Sequence, residues 1–150
     1  MSGVIIRPAR REDLDTIVAM IRQDSFGYQR EDPAAGEDYA RAFEEIQAST
    51  DNELIVAVLE GEIAGTLQLT FIPGLSYQGG WRAQVEAVRV RGDLRNRQIG
   101  TRMMEWVIAR ARQRGCRLVQ LTTNAARKDA QRFYARLGFQ ASHTGMKLML

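Results

Sequence analysis

"VRVRGDLRNRQIGT" (residues 88–101) joins two patterns that cannot belong to one element. Upstream, "WRAQVEAVRV" (81–90) alternates apolar and polar residues with the period of a strand. Downstream, Ile99, Met103, Val107 and Ala111 recur at helical spacing until Gly115 stops the pattern. The passage between them carries two glycines and four arginines. Where a strand turns into a helix, the first backbone N–H groups of the helix lack acceptors, and its dipole points the positive end there. Such a terminus receives phosphate groups. Gly100 lets a bulky anion approach the backbone, and Arg95 and Arg97 add fork-shaped donors matched to phosphate oxygens. The spacing is neither the Gly-x4-Gly-Lys-Ser/Thr of a nucleotide P-loop nor the G-x-G-x-x-G of a dinucleotide fold.

Working outward, "GVIIRPA" (3–9) reads as a short strand and residues 11–23 as a helix with Leu14, Ile17, Val18 and Ile21 on one face. Residues 24–36 read as a loop, and 37–49 as a second helix burying Tyr39, Phe43 and Ile46. "NELIVAVLEGEIAGTLQLTFI" (52–72) is two apolar runs joined by a hairpin turn, and 73–80 a longer turn. After helix 99–114 come strand 116–123, helix 126–138, and a strand, turn and strand over 139–150. Strand, helix, strand over 81–123 makes a right-handed parallel crossover, while the earlier hairpin is antiparallel. The expected class is α/β (α+β): a mixed, mainly antiparallel sheet with a central parallel strand pair, flanked by helices, in a single domain over 1–150.

The 150 residues suffice for one domain with a substantial core. No apolar run reaches the length of a bilayer span, and the first residues lack the apolar region of a secretion signal. One cysteine, Cys116, excludes an internal disulfide, packs as a small hydrophobe and fits a cytoplasmic location. One histidine, His143, excludes ordinary zinc-site spacings, so no metal is expected. Residues 1–62 hold 14 Asp/Glu and 6 Arg, whereas 63–150 hold 4 Asp/Glu against 13 Arg and 2 Lys. The totals alone favour solvated helix faces. They also describe two neighbouring surfaces of opposite sign, one for an anion and one for a cation.

Arg95-x-x-Gln98-x-Gly100, following Val88-x-Val90, resembles the Arg/Gln-x-x-Gly-x-Gly/Ala signature of the GNAT acyltransferases, which bind acetyl-CoA. "AQRFYARLGF" (130–139) resembles the later A-x-x-F-Y-x-x-x-G-F segment of that family, and the element order agrees over nearly the whole chain. The resemblance implies a GNAT-like sheet of six to seven strands with about four helices. Two positions depart from it. Gln98 stands where the family has its first glycine, and it is read here as a first helical residue that costs almost nothing. Arg127 stands where the family often has Asn, and Asn124 is the alternative contact for the pantetheine arm.

By resemblance, acetyl-CoA lies along Val88, Arg89 and Val90, then Arg95, Asn96, Arg97 and Gln98, then Ile99, Gly100 and Thr101, with Asn124, Arg127 and Tyr134 further on. A backbone N–H of the 88–90 strand would hold the oxyanion, which requires a bulge there. Glu86, two residues before Val88 and so read as sharing its face, is the candidate base; the bland alternative is a salt-bridged strand residue. Tyr134 is the candidate acid, against a packing role beside Phe133. The acceptor would be a small-molecule primary amine, polyamine-, amino-acid- or antibiotic-like. Asp24, Phe26, Tyr28 and Glu31 would line it, with Asp32, Glu37 and Asp38 adding negative charge. Arg82 would suit a carboxylate, and Trp81 stands beside it. Homodimers are common in the family, and the last strands are placed to pair across such an interface. Three rivals remain. A basic nucleic-acid-binding domain would use residues 82–117, with 10 Arg against 3 acids, but exposed stacking aromatics are few. A GNAT-like sensor would bind coenzyme A without catalysis. Another acyl donor, such as succinyl-CoA, fits the same residues.

Overall fold

The computed structural model describes residues 3–23, 30–94 and 98–150. The chain forms two compact units, Met1–Gln120 and Leu121–Leu150. In the first, strands β1 (Val4–Pro8), β2 (Asn52–Leu59), β3 (Glu62–Ile72) and β4 (Trp81–Val90) pair antiparallel in sequence order. Strand β5 (Cys116–Leu121), reached through a helix, lies beside β4 and makes the sheet mixed. The β2–β3 turn places Glu60 at φ 53° and Gly61 at φ 80°. Two consecutive positive φ values give the two-residue turn whose twist matches the flanking strands.

The helices are α1 (Leu14–Arg22), α2 (Gly36–Ala48) and α3 (Ile99–Gln113). Leu14, Ile17 and Val18 of α1 and Phe43 of α2 bury against Val56 of β2. Asp13, just before α1, is buried and receives two bonds from the Arg7 guanidinium, at 2.7 and 3.2 Å, plus the Arg10 N–H at 2.7 Å. The Arg7 bond holds the Asp13 carboxyl below the ordinary carboxylate range, against the opposing effect of burial. On the opposite face, α3 buries Ile99, Met103, Met104 and Val107, each side chain worth about 1.5–3 kcal/mol relative to exposure. The helix comes close because β3 has Gly65 there: a Cβ would sit 2.5 Å from the Met103 sulfur and 3.1 Å from the Arg89 carbonyl oxygen.

The β3–β4 register contains one irregularity. Gln68 faces Glu86, but Thr66 faces Arg89. One residue of β3, Leu67, therefore opposes two of β4, Ala87 and Val88, which defines a bulge. Ala87 takes φ 54°, the left-handed first position of a bulge that usually carries glycine. The bulge overturns one expectation. Gln68 and Thr66 share a face, so their partners Glu86 and Arg89 share it too, and Val88 points the other way.

Gln98 corrects another. It lies at φ 61°, ψ 20°, in left-handed conformation, as the N-cap of α3, rather than as a first helical residue. The position does demand the conformation that glycine adopts freely, and a glutamine there is strained by about 1–2 kcal/mol.

In the second unit, α4 (Lys128–Arg136) ends at Gly138, at φ 101°. Residues 139–150, expected as two strands, join no ladder among the described residues, so the sheet has five strands rather than six or seven. Apolar residues at strand spacing make a strand only when a neighbouring edge takes up their N–H and C=O groups. Here Met146 and Leu148 are exposed.

Two outcomes are expected. Gln98→Gly relieves the left-handed strain, and thermal unfolding should show about 1 kcal/mol of added stability, or about 2–4 °C in Tm. Asp13→Asn should cost about 1–3 kcal/mol at pH 7 in denaturant titrations. Because the Asp13 pKa is depressed on folding, its contribution is present above the unfolded value of about 3.9 and is lost as pH falls through the folded value, so variant and wild type should converge in acid.

Candidate active site

One face of β4 presents Arg82, Gln84, Glu86 and Arg89, opposite Ile72, Thr70, Gln68 and Thr66 of β3. Glu86 is exposed, and among the described residues it makes no ion pair or side-chain hydrogen bond. Among the described residues, Glu86 is not a salt-bridged strand carboxylate. Arg82, four residues earlier, is half-buried, and its Nε has no hydrogen-bond partner among the described residues. Between the two, the Gln84 side-chain oxygen accepts from Gln120 Nε2 of β5 at 2.6 Å. The polar lane continues across β3 and β2, where Thr70 donates to Asn52 Oδ1 at 2.6 Å and Gln68 Nε2 donates to the same oxygen at 3.4 Å. Trp81 faces away from Arg82 by strand alternation, and the Arg114 guanidinium lies 5.9 Å from its ring centroid.

At its far end, β4 leads to α3. The Gln98 carbonyl accepts the first helical bond from Arg102 N–H at 3.0 Å. The amides of Ile99, Gly100 and Thr101 head the helix and have no acceptor within it. The Ile99 side chain is buried, which fixes this end against the sheet. Val88 and Val90 are half-buried, and Arg89 Nη1 donates to the Val88 carbonyl at 2.8 Å. Three successive amides heading a helix are donors of the kind that receive a phosphate group. Arg95, Asn96 and Arg97, expected to contact the diphosphate, lie outside the described residues, as do Asp24, Phe26 and Tyr28 of the expected acceptor loop.

Arg91, at the start of this passage, donates to Asp93 at 2.8 and 3.2 Å and to Glu62 at 3.1 Å, tying the loop to the β2–β3 turn. A cleft of about 730 Å³ opens beside it, lined by Arg7, Asp13, Glu62, Arg91 and Asp93 among others. Its charged groups are already matched to one another, Arg7 to Asp13 and Arg91 to Glu62 and Asp93. The β4 face, where Arg82 and Glu86 are unmatched among the described residues, is the stronger candidate.

Within the second unit, Tyr134 packs edge-on between Phe133 and Phe139, with centroids 5.1 and 5.7 Å away. Arg127 is the N-cap of α4. The Asn124 Oδ1 accepts the Ala126 N–H at 2.9 Å in a local turn. In the first unit, Glu31 accepts from the Tyr39 hydroxyl at 3.1 Å and pairs with Arg30, while Asp38 pairs with Arg41. These carboxylates are matched locally.

Sequence reasoning missed the Gln84–Gln120 pair and the place of Arg89 on the Glu86 face. Period-two alternation finds the first once β5 is set beside β4. It fails for the second because nothing at Ala87 marks a left-handed residue.

Comparison with known proteins agrees with this geometry. The model of the acetyltransferase (GNAT) family matches residues 16–139. A crystal structure from Bacillus halodurans C-125, described as a transcriptional regulator, has TM-score 0.94 and 48% identity, covering 98% of this chain and 99% of its own. The aminoalkylphosphonate N-acetyltransferase of Salmonella typhimurium is 28% identical over 141 residues, 92% of this chain and 86% of its own length. A predicted acetyltransferase from Clostridium acetobutylicum, crystallised with acetyl-CoA, shares the fold at TM-score 0.75 and 20% identity, covering 97% of this chain and 96% of its own. With a five-stranded mixed sheet and a family match over most of its length, this chain is an acyltransferase and belongs to the acetyltransferase (GNAT) family.

Proposed function

We propose that the chain, acting as one domain, transfers the acetyl group of acetyl-CoA to a primary amine of a small molecule by direct attack in a ternary complex. The observation that carries this reading is the exposed Glu86 carboxylate, without a partner among the described residues, beside the β4 bulge and one residue before the left-handed Ala87. The helix-heading amides of Ile99–Thr101 support coenzyme binding, as do the fold's likeness to the acetyl-CoA-bound Clostridium protein and the amine acceptor in the name of the Salmonella relative.

The protonation states set the chemical demand. An alkylamine with pKa near 10.4 is neutral in about one molecule per 10³ at pH 7, equivalent to about 4–5 kcal/mol. Coenzyme thiolate, with a thiol pKa near 8.5, is already a fair leaving group. In this reading Glu86 accepts the ammonium proton, directly or through one water, and so supplies the nucleophile. A backbone N–H freed from the ladder at Ala87–Val88 donates to the carbonyl oxygen as negative charge develops there. The N–C bond forms, the C–S bond breaks, the Tyr134 hydroxyl gives its proton to the departing sulfur, and the second proton shed by the nitrogen as the amide forms passes through water to the Tyr134 oxygen. Asn124 or Arg127 steadies the pantetheine arm, and Arg95, Asn96 and Arg97 complete the diphosphate site.

The basic surface reads less well as a nucleic-acid site. Within 82–117, Arg91, Arg110 and Arg114 are paired with Glu62 and Asp93, Glu53, and Asp51.

Thiol release with acetyl-CoA and a panel of amines tests the proposal, with calorimetry of coenzyme binding as its control. Glu86→Gln should lower kcat about 10²–10⁴-fold at pH 7, and the deficit should shrink as pH approaches the amine pKa. Tyr134→Phe should lower kcat by a smaller factor. Wild-type rates in both variants would discard the assignment.

A further inference from the structure

We propose that the acceptor carries an anionic group as well as its amine, and that Arg82 receives that anion on the face of β4 where Glu86 receives the ammonium. The inference rests on the transferase reading and names the substrate class of the same site.

Four observations converge. First, Arg82 and Glu86 lie on one face of β4, since their β3 partners Ile72 and Gln68 do. The strand between them is regular, because the bulge begins only after Glu86. Their Cα atoms are therefore about 13 Å apart, a distance that two side chains leaning inward reduce to the span of a short molecule.

Second, both charges lack partners among the described residues. That sets Arg82 apart from Arg7, Arg91, Arg110 and Arg114, each bound to a carboxylate nearby. The Arg82 Nε, like those of Arg22 and Arg89, is closed off from water without an acceptor among the described residues, and an arriving anion would relieve that desolvation cost.

Third, the two opposite charges do not reach each other. The residue between them on that face is Gln84, held sideways by Gln120 of β5. The floor of the lane is thus an amide pair, neutral and hydrogen-bonding, over which a short polar linker can pass. Fourth, Asn52, Gln68 and Thr70 continue the lane with bonds among themselves and add no charge. From Arg82 to Glu86, short of Arg89 beyond the bulge, one cation and one anion separated by amides complement a molecule with the reverse arrangement: an amine and a carboxylate or phosphonate joined by a few carbons. A polyamine would place a second ammonium against Arg82.

The experiment compares kcat/KM, by thiol release with acetyl-CoA, for 2-aminoethylphosphonate, 3-aminopropylphosphonate, β-alanine, n-propylamine and putrescine. Wild type should prefer an anion-bearing amine over n-propylamine by 10-fold or more. Arg82→Gln should reduce that preference by about 10–100-fold, mainly through KM, and Arg82→Lys should restore part of it. Arg82→Glu should turn the preference toward putrescine. Glu86→Gln should lower kcat for every amine and leave the preference in place. Coenzyme affinity by calorimetry separates a folded variant from a misfolded one. A wild type that accepts n-propylamine or putrescine as readily as the anionic amines overturns the inference and leaves the transferase reading standing. Equal losses for all amines in a folded Arg82→Gln do the same. Coenzyme binding without transfer to any amine overturns both.

Discussion

Between Glu86 and Arg89, β4 contains two residues where β3 contains one. An antiparallel ladder tolerates that excess only by dropping a residue from its hydrogen-bond pattern and twisting the strand. Most features of the candidate site follow from it. Upstream of the bulge, Ala83 and Val85 are buried under α3 while Arg82, Gln84 and Glu86 face the other way. Downstream the phase is reversed, so Val88 turns away from Glu86 and Val90 meets the face of Gly65. The same interruption removes backbone groups from the ladder at the point where the candidate base stands. The bulge therefore sets both which side chains meet and which amides are free.

The uneven distribution of charge along the chain resolves into contacts within the first unit. Glu53 of β2 receives Arg110 of α3 at 2.9 Å, and Asp51 receives Arg114 at 2.9 Å. The first pair holds the Arg110 guanidinium above its ordinary pKa, as expected for a fork matched to a carboxylate. Arg114 also lies 4.0 Å from the centroid of the buried Phe71 ring. Acids from one half of the sequence and arginines from the other thus fasten helix to sheet. Arg82 and Glu86, which join none of these ion pairs among the described residues, belong to one strand and face one way.

How far the sequence announced this depends on the element. The strand-to-helix passage was legible because period two gives way to period 3.6 within a few residues, and β4 ends and α3 begins where the pattern changes. The hairpin was legible from "EGE", and the stop of α3 from Gly115 at φ 74°. The family resemblance rested on the same passage, and the family match bears it out. Three features were not legible. Ala87 and Gln98 sit at positive φ without being glycine, so residue type gave no sign of either the bulge or the N-cap. Residues 139–150 have the apolar content of strands, but pairing is a property of two segments and cannot be read from one. Matching of Glu31 and Asp38 by Arg30 and Arg41 was equally hidden, since side chains one and three residues apart choose partners by rotamer rather than by spacing.

Helix α3 is fastened to the sheet at two places. Near its start, Ile99 and Met103 sit on Gly65; near its end, Arg110 and Arg114 reach Glu53 and Asp51. With 15 residues it is about 22 Å long. A rod of that length magnifies small rotations. If it pivoted about its C-terminal end, a tilt of about 10° would sweep its leading amides through about 4 Å, more than a hydrogen bond tolerates. Ion pairs at the trailing end of the helix thereby act as a gun-carriage for the amides at its muzzle, sharing with the packing of Ile99 on Gly65 the accuracy with which those amides meet an oxygen.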